Sequence, residues 1–72
     1  MKAVPVRSEI SGTVWKIESR PGVEFEADDV LLILESMKME IPVTAPRAGT
    51  VVEIYFAEGE VVGEGEVVAT IE

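Results

Sequence analysis

Glu35-Ser36-Met37-Lys38-Met39-Glu40 lies at the joint between two halves of the chain that repeat each other, and that repeat decides the fold. Displacing the sequence by 37 places lays 3–35 over 40–72 without a gap along 33 pairs, leaving 36–39 as the link. Nine pairs are identical: Pro5/Pro42, Val6/Val43, Gly12/Gly49, Thr13/Thr50, Val14/Val51, Ile17/Ile54, Gly22/Gly59, Val30/Val67 and Glu35/Glu72. Others exchange one apolar residue for another, as in Val4/Ile41, Leu31/Val68 and Leu34/Ile71, which a shared buried face requires. Two copies make a folded duplication rather than a solenoid.

Working outward from the joint, each half is a series of short apolar runs rich in Val and Ile, broken by Gly, Pro and acidic clusters. The first half reads as strands at Val4 to Arg7, Gly12 to Glu18, Val23 to Phe25 and Val30 to Glu35. Turns fall at Arg20-Pro21-Gly22 and Ala27-Asp28-Asp29. The second half replays the series at Ile41 to Thr44, Gly49 to Phe56, Val61-Val62 and Val67 to Ile71, with turns at Glu58-Gly59 and Gly63-Glu64-Gly65. Gly12, Gly22, Gly49, Gly59 and Gly65 are the expected turn glycines. No stretch carries a helical period. The expected fold is all-β: two four-stranded antiparallel sheets closed into a flattened barrel or sandwich, with pseudo-two-fold symmetry. Its expected core is Val14, Ile17, Val30, Leu32 and Leu34 with Val51, Ile54, Val67, Ala69 and Ile71, and Trp15, Phe25, Tyr55 and Phe56 add bulk. Because Glu72 is the mate of Glu35, a tight hairpin should close one end of the domain, with both termini at the other.

Composition narrows the function. Seventy-two residues suffice for one small domain, 1–72. The chain has neither cysteine nor histidine, which removes thiol nucleophiles, the usual general base and the usual zinc ligands. The expectation is a domain that is acted upon, not an autonomous enzyme, with no catalytic residue and no metal. Net charge is −8, with seven acids against three bases in the first repeat and seven against one in the second. Nucleic acid is therefore excluded as a partner, and self-repulsion favours a soluble monomer. The longest aliphatic run, Val30 to Leu34, is far short of a membrane span, and no apolar stretch follows Lys2, so a cytoplasmic location is expected.

The link has the wrong chemistry for a turn that only connects strands. Two-residue hairpin loops favour Asn-Gly, Asp-Gly or a leading Gly because their central residues take positive φ. Here those residues are Met37 and Lys38, and Met39 follows. A left-handed Met or Lys costs on the order of 1 kcal/mol, and two exposed methionines suit a surface that another protein covers.

Glu35-Ser36-Met37-Lys38-Met39 resembles the signature of the biotinyl domains, in which Met-Lys-Met preceded by Glu-Ala or Glu-Ser is the site of biotin attachment. The resemblance extends over essentially the whole chain. It covers the length, the duplication, the 34 residues after Lys38, Gly22 upstream, and Ala45-Pro46 and Gly49-Thr50 downstream. The chain is similar to small biotin carboxyl carrier and biotin/lipoyl attachment proteins, and to the carrier domains of acyl-CoA, pyruvate and related carboxylases. The resemblance implies that Lys38 is the covalent attachment point for biotin, added by a biotin protein ligase. It makes Glu35, Ser36, Met37 and Met39 recognition residues. It further implies that carboxybiotin is carried between the biotin carboxylase and carboxyltransferase sites of a biotin-dependent carboxylase. The alternatives are a lipoate carrier of the 2-oxo acid dehydrogenase type, whose lysine is typically flanked as Asp-Lys-Ala, and an unmodified structural or interaction module. This chain departs from the family in having Gly22-Val23 where Gly-Asp is common and Asp28 where Gly is frequent. It also lacks the protruding thumb of some bacterial acetyl-CoA carboxylase carriers. Asp tolerates left-handed geometry, so the turn at Asp28 should survive.

Overall fold

The computed structural model describes residues 3–72. These form eight strands: β1 (Val4–Arg7), β2 (Gly12–Ile17), β3 (Glu24–Phe25), β4 (Val30–Ser36), β5 (Met39–Thr44), β6 (Gly49–Ile54), β7 (Val61–Val62) and β8 (Val67–Ile71). β2 and β6 stop one and two residues earlier than their apolar runs suggest. β4 and β5 run further toward each other, because Ser36 pairs directly with Met39. Two antiparallel sheets result, ordered β1-β8-β6-β3 and β5-β4-β2-β7. The repeat relates β1 to β5, β2 to β6, β3 to β7 and β4 to β8, which turns the order of one sheet into that of the other. Each sheet therefore holds two strands from each half, and neither half has a sheet of its own.

The hydrogen bonds that join the sheets through their turns obey the same symmetry. Val14 N–H donates to the Glu60 carbonyl and Gly59 N–H to that of Val14, both at 2.8 Å, while Val51 N–H donates to Val23 and Gly22 N–H to Val51 at 2.9 and 2.8 Å. Gly22, Gly59 and Gly65 sit in turns at φ 91°, 93° and 87°. Asp28, the mate of Gly65, takes φ 72° and its turn still closes, Asp29 donating its N–H to the Glu26 carbonyl at 3.2 Å while Asp28 donates to the Ala45 carbonyl at 2.9 Å. Gly12 and Gly49 are not turn residues, contrary to expectation. They open β2 and β6, and a Cβ would lie 2.8 Å from the Glu35 carbonyl oxygen at Gly12 and would collide with that of Glu72 at Gly49. Glycine is needed there for close backbone approach.

Strict alternation fails at four symmetric bulges. In β2 the partners step from Val14↔Leu34 to Lys16↔Ile33, leaving Trp15 as the extra residue; in β6 the step from Val51 to Glu53 leaves Val52. In β4 and β8 the extra residues are Leu31 and Val68. A bulge changes which residues face inward. Leu31 and Leu32 are consequently both buried, as are Val68 and Ala69. Val30 is 37% exposed and does not belong to the core, a correction to the reading of β4 as buried from its first residue. The buried core comprises Val6, Val14, Phe25, Leu31, Leu32, Leu34, Ala45, Val51, Val62, Val68, Ala69 and Ile71, with Ile17, Ile54 and Phe56 packed against it. Phe25 and Phe56 thus add bulk as anticipated. Trp15 and Tyr55 do not, being 48% and 53% exposed. The bulge turns Trp15 outward, and Tyr55 lies past the end of β6, its hydroxyl 2.8 Å from Thr70 Oγ1.

The body measures 36 × 17 × 17 Å. β6 starts at Gly49, paired with Phe25, beside the end where Ile71 pairs with Val4. It leads through 55–60 to Val62, which pairs with Gly12, adjacent to the Thr13↔Glu35 pair. The hairpin 36–39 and the Val4–Ile71 pair therefore lie at opposite ends.

Candidate functional site at the β4–β5 hairpin

The hairpin is built by register. Ile33↔Pro42, Leu34↔Ile41, Glu35↔Glu40 and Ser36↔Met39 pair in sequence, so only Met37 and Lys38 remain to reverse the chain. Buried Leu34 anchors the arm below. Met37 takes φ 52° and Lys38 φ 65°, the positive pair that a type I′ two-residue turn demands. Neither residue is the glycine, asparagine or aspartate that this backbone favours. Asn-Gly in their place relieves that cost: M37N/K38G raises stability by about 1 kcal/mol and the melting temperature by roughly 4–8 °C. Thermal denaturation checks this, and the same variant loses the amine. Stability has been given up at the tip for these side chains.

Met37 is 92% exposed and Met39 64% exposed, while Ser36 is half-buried. Glu35 and Glu40, both exposed, face each other directly across β4 and β5 without an intervening residue. Like charges in that position repel, so the arrangement favours a cationic group arriving from outside. Lys38 is exposed at the apex. A groove of about 370 Å³ runs between the edge strands β1 and β5, lined by Pro5, Val6, Ser8, Pro42, Val43 and Ala45 among others, and Lys38 is not part of its wall. Nor does it line the shallower depression at 17–23. The lysine is thus held out in solvent, where another protein can reach it. A Schiff-base lysine needs a pocket to depress its pKa, and this position provides no such wall. The structure brings Glu35, Ser36, Met37, Lys38 and Met39 together at one tip. It places Gly22 in a turn of the body beside Val51, toward the opposite end, and Gly65 in the turn that follows Val62, which pairs with Gly12.

Comparison with known proteins agrees with this geometry. The sequence pattern of the biotin/lipoyl family, described as biotin-requiring enzyme, matches residues 2–71. The chain belongs to the biotin/lipoyl family. Among its relatives, a biotin/lipoyl attachment protein of Bacillus subtilis (strain 168) is 44% identical over 62 residues, covering 86% of this chain and 85% of the relative. A protein of Mycobacterium leprae (strain TN) named biotinylated protein TB7.3 homolog is 42% identical over 69 residues, covering 96% of this chain and 97% of the other. In three dimensions the crystal structure of Kluyveromyces lactis urea carboxylase contains a segment with TM-score 0.94 and 36% identity. It covers all of this chain and 6% of that one. The chain therefore spans most of its small relatives but only a small fraction of the carboxylases in the family, where it is homologous to one domain.

Proposed function

We propose that this protein is a biotin carboxyl carrier, with biotin joined to Lys38 by a biotin protein ligase, serving a biotin-dependent carboxylase. The observation that carries the proposal is the exposed lysine at the apex of a two-residue turn whose backbone disfavours the residues it holds. Met37 and Lys38 are both exposed at the apex, so the Lys38 side chain has room to take a long acyl group. In the attachment step the Lys38 amine attacks the acyl carbon of biotinyl-adenylate held by the ligase. The amide C–N bond forms, the bond from the acyl carbon to the phosphate oxygen breaks, AMP departs, and the proton lost from nitrogen passes to the ligase or solvent. Alignment of the amine and removal of its proton fall to the ligase, since the tip itself offers no neighbouring base. The amide removes one positive charge, taking the formal charge from −8 to −9.

Once attached, biotin supplies a ring nitrogen able to carry a carboxyl group from a biotin carboxylase site to a carboxyltransferase site. The chain's own part is mechanical. Two sheets with interleaved halves give the hairpin a rigid mount, and tethering raises the local concentration of the cofactor at each site. Met37 and Met39 offer polarisable, adaptable apolar contact to the proteins that cover the tip.

Incubation with a biotin protein ligase, biotin and ATP, followed by intact mass measurement, tests this reading. Wild type gains one biotinyl group and Lys38→Ala gains none. A wild type that stays unlabelled under conditions that label a known acceptor overturns the proposal. Labelling that persists in Lys38→Ala moves the site elsewhere. A gain of lipoate with a lipoate ligase, and none of biotin, replaces the cargo.

A further inference from the structure

The duplication supplies an internal control: the residue at each mate position shows what the fold accepts at that place. Burial agrees closely between mates along the strands, so a difference in chemistry at an exposed pair is not a demand of packing. Three such differences fall on the outer face of the sheet that carries the hairpin. Val61 on β7 is 74% exposed and pairs with Thr13, beside the Glu35 row. Its mate at the opposite end is Glu24, also exposed. Trp15 is the outward bulge residue of β2 where β6 has the smaller Val52. Ile33 points outward between buried Leu32 and Leu34 where β8 has Thr70.

β7, β2 and β4 are consecutive neighbours in the sheet. Val61, Trp15 and Ile33 therefore share one face, starting one cross-strand row below the tip, with Thr13 paired to Val61 and the exposed Lys16 paired to Ile33. The Glu35–Glu40 pair caps the patch where the hairpin begins. The other sheet has Glu24, Val52 and Thr70 in the same arrangement. At these three positions the face bearing the lysine is thus the more apolar of the two, with Lys16 lying beside Ile33.

Reach decides what covers it. Before modification the amine stands on a four-carbon stem, so an enzyme that acylates it must close over the tip and press against the adjoining shoulder. After modification the reacting group lies at the end of a much longer arm, which can enter an active site without that contact. We propose that the patch of Val61, Trp15 and Ile33 is the surface gripped by the ligase that modifies Lys38. The ligase would contribute an apolar surface edged with basic side chains complementary to Glu35 and Glu40. This inference rests on the proposed function.

The experiment exchanges each residue for its mate, which the fold already accommodates: Val61→Glu, Trp15→Val and Ile33→Thr, singly and combined. Val61→Thr separates loss of apolar area from added charge, and Glu24→Val serves as the control at the far end. The combined variant raises the ligase KM for the carrier by about tenfold or more, the range for losing a central apolar contact. Its kcat changes little and its melting transition stays well above the assay temperature. Glu24→Val leaves KM unchanged. Wild-type KM in the combined variant overturns the inference while the labelled wild type keeps the proposed function intact. Failure to label wild type overturns both. An unchanged ligase KM with reduced carboxylase turnover by the labelled variant assigns the face to the carboxylase instead. A wild-type dimer in sedimentation that the variant abolishes assigns it to a second copy, and either result overturns the ligase assignment.

Discussion

Moving the amine by one residue, in the double variant Met37→Lys with Lys38→Met, abolishes ligase-dependent labelling and leaves the melting temperature within about 4 °C of wild type. Both positions already have positive φ, 52° and 65°, and both side chains are exposed, so exchanging two unbranched residues changes little in the folded body. What changes is direction. Successive residues of a two-residue turn project their side chains along different lines, and Ser36↔Met39 pairing fixes that frame. An enzyme transferring an acyl group needs the attacking nitrogen positioned to within a fraction of an ångström of a productive approach. Mass spectrometry over a time course checks the outcome. Labelling of the exchanged variant at the wild-type rate refutes the idea that the hairpin presents one fixed vector, whatever the identity of the cargo.

The same hairpin shows where reading the residues succeeds and where it stops. Met37-Lys38 was conspicuous because the pair violates turn chemistry, and positive φ at both is the cost that mismatch implies. The eight strands were legible because each apolar run ends in Gly, Pro or acids, and the duplication registered one half against the other. Trp15 was misplaced for a specific reason. Period-two alternation has no symbol for a bulge, so Val14 and Ile17, three apart, could both face inward only with an extra residue between them. The identical spacing of Val51 and Ile54 in the second copy carried that signal. In the expected core Val30 and Val67 stand where Leu31 and Val68 belong, for the same reason. The short run Val61-Val62 carries no mark of an apolar shoulder in the sequence. Its significance needs the pairing that sets it beside the Glu35 row.

Gly12 and Gly49 illustrate a further limit, since a sequence does not disclose which backbone passes over a glycine. Here it is the end of the same copy's last strand in each case: the Glu35 carbonyl over Gly12 and the Glu72 carbonyl over Gly49. The obstructing atoms are backbone, held by pairs such as Thr13↔Glu35 and by the Thr50 N–H bond to the Glu72 carbonyl at 2.8 Å. An added methyl therefore forces strands apart rather than displacing a flexible side chain. Gly12→Ala and Gly49→Ala each lower stability by about 3 kcal/mol, at the upper part of the range for overpacking. In a domain of this size that is a fall in melting temperature of roughly 12 °C or more. Gly22→Ala is the comparison: its φ of 91° strains alanine, but beyond its chain neighbours no atom of the described residues lies within 4 Å of the new Cβ, and the loss is about 1 kcal/mol. The two close-approach sites then part company in function. Gly12 lies under the strand end that leads into the tip, so Gly12→Ala displaces Glu35 and tilts the hairpin, and labelling slows even where the protein is fully folded. Gly49 has the same packing at the opposite end, and the folded fraction of Gly49→Ala labels at the wild-type rate. Equal labelling rates for the two folded variants, at temperatures well below both transitions, contradict a mechanical link between the Gly12 contact and the direction of Lys38.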